Sequence, residues 1–192
     1  MAERQTERQA IGMIELTSIA IGHQVQDAML KAAEVKLIVA RTICSGKYIA
    51  IVGGPVGAVQ AAVNAGLEAA PDGVIDHILV PNIHPDVFRA LGDMVQIGGQ
   101  HQQVPSLGIV ETFSASSAIE AADVAAKAAN VSLFRIHLAM ALGGKGLVMM
   151  AGSVSDCRSA VEAAAATVKQ KGLLVSSVVI PRPSPELFAE RL

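Results

Sequence analysis

Tryptophan is absent, tyrosine occurs once and phenylalanine four times, so aromatic residues make up only 3% of the 192-residue chain. The five rings are scattered and offer no platform on which bases would stack. Positive charge is equally sparse. Fifteen lysines and arginines stand against 17 acidic residues, for a net charge of −2 and no dense basic patch. A nucleic-acid partner is therefore not expected. Cysteine occurs twice, too few for a disulfide framework. The expected compartment is the reducing cytosol, where an exposed thiol is either reactive or a ligand. No apolar run reaches the roughly 18 residues of a membrane span, and the polar opening "MAERQTERQ" does not read as a signal peptide. A nucleophile elbow, a P-loop and paired catalytic carboxylates are missing as well. "GGPVGAVQ", residues 53–60, sets glycines before a helix start, as phosphate loops do. It lacks the Gly-Lys-Ser/Thr ending and reads as a tight strand-to-helix turn. No enzymatic activity is expected.

What the chain has in abundance is small apolar residues: 52% are hydrophobic, much of that alanine, and 17% are charged. Alanine-rich helices packed closely on a sheet fit this composition. So does a chain that buries part of its surface in an assembly, because the charged fraction is low for a free monomer.

The chain also repeats itself, which is the first thing to look for. Residues 11–35 laid over 107–131 share eight identities: Gly12/Gly108, Glu15/Glu111, Ser18/Ser114, Asp27/Asp123, Lys31/Lys127, Ala32/Ala128, Ala33/Ala129 and Val35/Val131. The register continues with small insertions. Gly46-Lys47 falls on Gly144-Lys145, Gly54-Pro55-Val56 on Gly152-Ser153-Val154, Val80-Pro81 on Ile180-Pro181, and Pro85 and Phe88 on Pro185 and Phe188. Chance likeness of alanine-rich helices accounts for residues 27–35 alone, not for order kept along both copies. Between them, "LGDMVQIGGQHQQVPS" (91–106) has the Gly-Gly, glutamines and proline of a linker. The expected domains are 10–91 and 106–192, joined by 92–105.

Each copy reads β-α-β-β-α-β with a short helix after it. In copy one the strands are "AIGMIEL", "VKLIVARTI", "YIAIVGG" and "VIDHILVPN". Thr17 or Ser18 caps the first helix, "CSGK" is a hairpin turn, and Pro55 stands near the first turn of the second helix. "HPDVFRAL" is the short terminal helix. The fold class is α/β (α+β), with the split βαβ, ferredoxin-like order. Copy two follows it, with "ALGGK" (141–145) in place of the cysteine turn.

"AIGMIE", "DAMLKAAEV", "GGPVGAVQAAV" and "IPRPSPEL" resemble the shell-protein domain of bacterial microcompartments, over nearly all of both copies. Two such domains in one chain resemble the tandem type, in which three chains form a pseudo-hexagonal tile. The likeness is to tandem shell proteins of propanediol-utilisation-type compartments, one kind of which carries an iron–sulfur cluster. The resemblance implies a homotrimer, neighbouring shell tiles and encapsulated redox enzymes as partners, and a place in a microcompartment shell in the cytoplasm. It also implies that the hairpin after strand two lines a central pore, typically as Ile-Gly-Ser-Gly. The matching residues are Ile43, Cys44, Ser45 and Gly46, with cysteine where the first glycine would be. In copy two they are Met140, Ala141, Leu142, Gly143 and Gly144, a longer and apolar turn.

On a three-fold axis, one cysteine per chain becomes three thiolates converging on a point. Iron–sulfur clusters are normally held by four cysteine thiolates, so three would leave one iron open to another ligand. By this resemblance Cys44 is the metal residue, and one [4Fe-4S] cluster per trimer is shared by three copies of it, for electron transfer across the shell or for handing a cluster to an enzyme inside. Two other readings of Cys44 stay open at this point: a free pore thiol in a metal-free tile that passes small metabolites, and a mononuclear metal such as zinc completed by solvent. A soluble regulatory or ligand-binding trimer, or an enzyme with a site between subunits, is the remaining alternative. Lys31 and Lys127 match the lysine that family tiles place at their edges, and Arg182 matches the edge arginine. Copy one has Asn82 at that place. Cys157, at the position of Val59, reads as a core cysteine. Glu15 and Glu111 read as structural. The five histidines, His23, His77, His84, His101 and His137, show no metal spacing.

Overall fold

The computed structural model describes residues 10–92, 104–140 and 142–188. The chain divides into two compact units. One contains residues 10–85 together with Ala139, Met140 and 142–144; the other contains 86–138 and 145–188. The linker residues 93–103, His101 among them, and Ala141 lie outside the described residues.

In copy one the elements are β1 (Ala10–Leu16), α1 (Ile19–Ala32), β2 (Lys36–Ile43), β3 (Lys47–Gly54), α2 (Val56–Ala69) and β4 (Val74–Pro81), followed by α3 (Pro85–Gly92). Copy two gives β5 (Ser106–Thr112), α4 (Ala115–Ala128), β6 (Ser132–Leu138), β7 (Gly146–Gly152), α5 (Val154–Gln170), β8 (Leu174–Pro181) and a short 3-10 turn at Pro185–Phe188. Each copy builds a four-stranded antiparallel sheet, in the orders β2-β3-β1-β4 and β6-β7-β5-β8. The ferredoxin-like order expected from the sequence is present twice. Even the irregularities recur. A register shift at Glu15/Leu16 against β4 returns at Glu111/Thr112 against β8, and one at Leu37/Val39 returns at Leu133/Arg135.

Local chemistry explains where the helices start. Ser18 takes the cap of α1, its hydroxyl accepting from the Ile21 N–H, and Ser114 does the same for α4 from the Ser117 N–H. Thr17 is not the cap. Pro55 stands just before α2, where its missing N–H costs nothing. The inward face of copy one joins Ile14 and Leu16 of β1 and Tyr48, Ala50 and Val52 of β3 to Val25 and Met29 of α1 and Val59, Ala62 and Val63 of α2. The alternation of strand residues and the three- and four-residue spacing on the helices put these side chains together. Gly12 lets α2 lie close to the sheet: a Cβ there would stand 2.5 Å from a Val63 methyl.

One contact is made in opposite ways by the two copies. Gly22 of α1 faces the ring of Tyr48, and a Cβ at Gly22 would sit 2.4 Å from it. At the equivalent place copy two has Ala118 on the helix and Gly146 on the strand, and a Cβ on Gly146 would sit 2.5 Å from the Ala118 Cβ. The glycine has moved from the helix to the strand, so in each copy one partner at this contact has no side chain.

The pore turn and its cysteine

β2 and β3 are joined by Cys44, Ser45 and Gly46, with Ile43 paired to Lys47 and Thr42 to Tyr48. Such a short connection reverses the chain only with left-handed residues at its centre. Ser45 has φ 65° and ψ 27°, and Gly46 has φ 72°. Gly46 adopts this freely and nothing lies within 4 Å of where its Cβ would be. Ser45 carries the strain of a left-handed L-residue, about 1 kcal/mol. Ser45→Gly is therefore expected to raise the midpoint of thermal unfolding, by a few degrees at most, with no loss of assembly.

Ile43 is buried and anchors the turn to the core, Cys44 is half-buried, and Ser45 and Gly46 are exposed. In copy two Leu138 pairs with Gly146, so the connection spans 139–145. It bends at Ala139 (φ 56°), Gly143 (62°) and Gly144 (91°). Ala139 is buried, Met140 exposed, Leu142 partly buried and Gly143 exposed. The Cys44 N–H donates to the Ala139 carbonyl at 3.4 Å, within the unit that contains both. The structure thus sets the cysteine turn beside the start of the apolar one.

The two thiols live in different surroundings. Cys157 is fully buried on α5, and its Sγ–H donates to the Ser106 carbonyl at 3.6 Å. Burial pushes its thiol up from the ordinary range, with the Asp156 charge adding to the rise, against hydrogen bonds at Ser106 and Gly108. It stays protonated and packs like a small apolar residue, as the sequence suggested. Cys44 is the thiol that reaches the surface. Among the described residues, no three His, Cys, Asp or Glu side chains gather within one chain as a metal site would need. The donor set of a single chain is one soft thiol.

Sequence reasoning missed the charge pair behind each turn. Lys47, the residue after Gly46, reaches back across the sheet to the Glu15 carboxylate at 3.0 Å, and Lys145 reaches Glu111 at 3.0 Å. Glu15 faces Ile49 in the β1–β3 register, so Lys47 is its diagonal neighbour on the same face. The Glu15 residue is 5% exposed. The signal was present: a glutamate and a lysine of opposite charge were each kept between the copies. Read one at a time they looked merely structural.

The edge residues are also placed. Lys31 pairs with Asp27 and Lys127 with Asp123, each at 2.6 Å and one helical turn apart. The Lys31 side chain is 74% exposed and that of Lys127 45%. Arg182 and Asn82 occupy the same bend with φ 47° and 49°. Asparagine tolerates the left-handed region and arginine is strained there. Arg182 is exposed, and its N–H donates to the Pro105 carbonyl at 3.0 Å.

Comparison with known proteins follows the duplication. The BMC domain family profile matches residues 10–83 and again 106–183. The chain is 46% identical over 182 residues to the bacterial microcompartment shell protein PduT of Citrobacter freundii, covering 95% of this chain and 97% of that protein. It is 40% identical over 82 residues, 43% of this chain, to 83% of the shell protein EutM of Salmonella typhimurium. Among solved structures, a microcompartment protein from Desulfitobacterium hafniense DCB superposes with a TM-score of 0.85 at 43% identity, over 93% of this chain and 97% of that one.

Proposed function

We propose that this chain, which belongs to the BMC-domain family of bacterial microcompartment shell proteins, is a trimeric tile that holds one [4Fe-4S] cluster on its axis through three copies of Cys44. The structural part stands on the family: the chain is a shell component built from two BMC domains, and its relatives are shell proteins, not enzymes. The rest is our reading, and one observation carries it. The half-buried thiol sits at the tip of a tight turn beside a second, apolar turn, while the other cysteine is sealed in the core.

The trimer is supported by an asymmetry between copies. Helix α1 has three buried residues, whereas α4 has ten. Ile19, Leu30 and Leu37 on the α1–β2 side of copy one are exposed apolar residues. We assign this side to contact with a second chain. Three-fold symmetry then multiplies one thiol into three donors. Three thiolates suit the soft-ligand chemistry of iron–sulfur clusters, and a single chain does not provide them. When bound, the cluster supplies one-electron transfer between the two faces of the shell. The chain's own residues hold the thiols: Ile43 roots the turn, Gly46 keeps the approach free of side chain, and Met140 and Leu142 lend apolar surface nearby.

At the rim, Lys31, Lys127 and Arg182 meet neighbouring tiles. The left-handed strain at Arg182 supports a role there, because the same bend in copy one uses the unstrained Asn82. Arg182→Asn is expected to leave the trimer intact and to lower the yield of sheets in electron micrographs; unchanged sheets would remove Arg182 from the edge.

The test of the cluster is purification without oxygen, a visible spectrum, and assay of iron and sulfide. A brown protein with four irons and four sulfides per three chains supports the reading. A colourless protein, even after reconstitution with iron and sulfide, leaves a metal-free tile whose pore passes small metabolites.

A further inference from the structure

We infer that the Glu15–Lys47 pair is an electrostatic tuner of the Cys44 turn, with Lys47 as a positioning residue that sets a fixed positive charge at the base of the β2–β3 hairpin. The inference rests on the cluster reading above. Lys47 pairs across the hairpin with Ile43, the residue next to Cys44. Its ammonium is not free to wander: it is held at 3.0 Å by Glu15, whose side chain is 6% exposed. The Lys47 side chain is 34% exposed. The carboxylate is the buried partner, and the ammonium it holds keeps about a third of its side chain in solvent, which screens its charge in part.

Which way this acts follows from charge. Three thiolates bring negative charge to the axis, and a cluster there becomes more negative on reduction. The lysine favours the reduced form and raises the potential, and the glutamate opposes it. Lys47 is closer along the strand to the thiol turn, whereas Glu15 lies behind it on β1. Copy two provides an internal control. Lys145 and Glu111 make the same pair, but with side chains 41% and 31% exposed, behind a turn that carries no thiol.

The experiment is the midpoint potential of the anaerobically purified full chain in a set of variants, with iron per chain and trimer mass measured alongside. Glutamine at either position keeps a hydrogen-bonding partner and removes one charge. Lys47→Gln is expected to move the potential to more negative values and Glu15→Gln to more positive ones. Lys145→Gln and Glu111→Gln should give smaller shifts of the same signs. A pair that only staples strands moves both copy-one variants the same way or not at all, and that result overturns the inference. Should a glutamine variant fail to assemble, the exchanged pair Glu15→Lys with Lys47→Glu decides. It keeps the ion pair and reverses its order, so the tuner predicts a more negative potential and a staple predicts the wild-type value. A wild-type protein that takes up no iron or sulfide removes the cluster reading itself, an outcome distinct from a loaded cluster whose potential ignores these charges.

Discussion

Cys44→Ala will yield an intact trimer that contains neither iron nor sulfide. The substitution is mild for the fold. Cys44 is half-buried at a turn tip, and its backbone is outside the left-handed region that Ser45 and Gly46 occupy. The hydrogen bond from its N–H to the Ala139 carbonyl is made by the backbone and survives the change. Substitutions of this kind change stability by about 0.5 kcal/mol. In the proposed trimer the same change is total for metal, because symmetry there makes one codon responsible for every protein thiolate at the axis. No partial site remains to retain a cluster weakly. Cys157→Ala should do the reverse. It leaves the cluster in place and costs on the order of 1–2 kcal/mol, since a fully buried side chain is cut back among packed neighbours. Iron assay and thermal unfolding on the two variants thus separate two roles for two cysteines. A Cys44→Ala protein that stays brown would sink the assignment, and one that falls apart into monomers would make the turn an assembly element instead.

Much of this arrangement was legible in the residues, because the chain carries its own alignment. Glycines, prolines and caps that recur at matched positions marked the strand and helix ends, and the strand alternation marked the sheet. The turn at Cys44 was readable from Ser-Gly between two apolar runs. What the sequence did not show was pairing at a distance. Lys47 and Glu15 are 32 residues apart and meet only because β1 and β3 are adjacent in the sheet. The Cys44 turn meets Ala139 across nearly half the chain. Neither contact follows from periodicity, which reports which face a residue occupies and not what lies opposite. The different exposure of α1 and α4 was hidden for the same reason: their sequences are similarly amphipathic, and only the surroundings distinguish them.

Gly22→Ala is expected to destabilise the protein, against the usual rule for helices. Gly22 is the fourth residue of α1, and within a helix the exchange of glycine for alanine normally gains up to about 1 kcal/mol of helix propensity. Here the added methyl would stand 2.4–2.6 Å from three atoms of Tyr48, its Cβ among them. A Cβ cannot swing away as the end of a flexible side chain can. The ring is held as well. Tyr48 is 3% exposed, its hydroxyl donates to the Gln26 side chain at 2.7 Å, and the His23 ring lies 5.0 Å away. Burial holds the phenol above its ordinary pKa, so it remains a neutral donor. Relief requires α1 to retreat from β3, and overpacking of this kind costs about 1–3 kcal/mol. With three contacts below 3.0 Å the cost falls in the upper part of that range and exceeds the propensity gain. For a chain of this length the net loss, up to about 2 kcal/mol, lowers the unfolding midpoint by up to roughly 8 °C. Because assembly contributes to stability, the comparison must be made at one protein concentration. Copy two shows how the clash is resolved, with alanine on the helix and glycine on the strand. Tyr48→Gly alone should cost several kcal/mol by opening a cavity, about 3–5 for a large ring. The double variant Gly22→Ala/Tyr48→Gly should then lose less than the two single losses added together, since the methyl no longer meets a ring. Strict additivity would mean that the two residues do not share a contact surface, contrary to the geometry. A more stable Gly22→Ala protein would mean that the helix shifts freely on the sheet, and that the move of the glycine from helix to strand between the copies has no energetic basis.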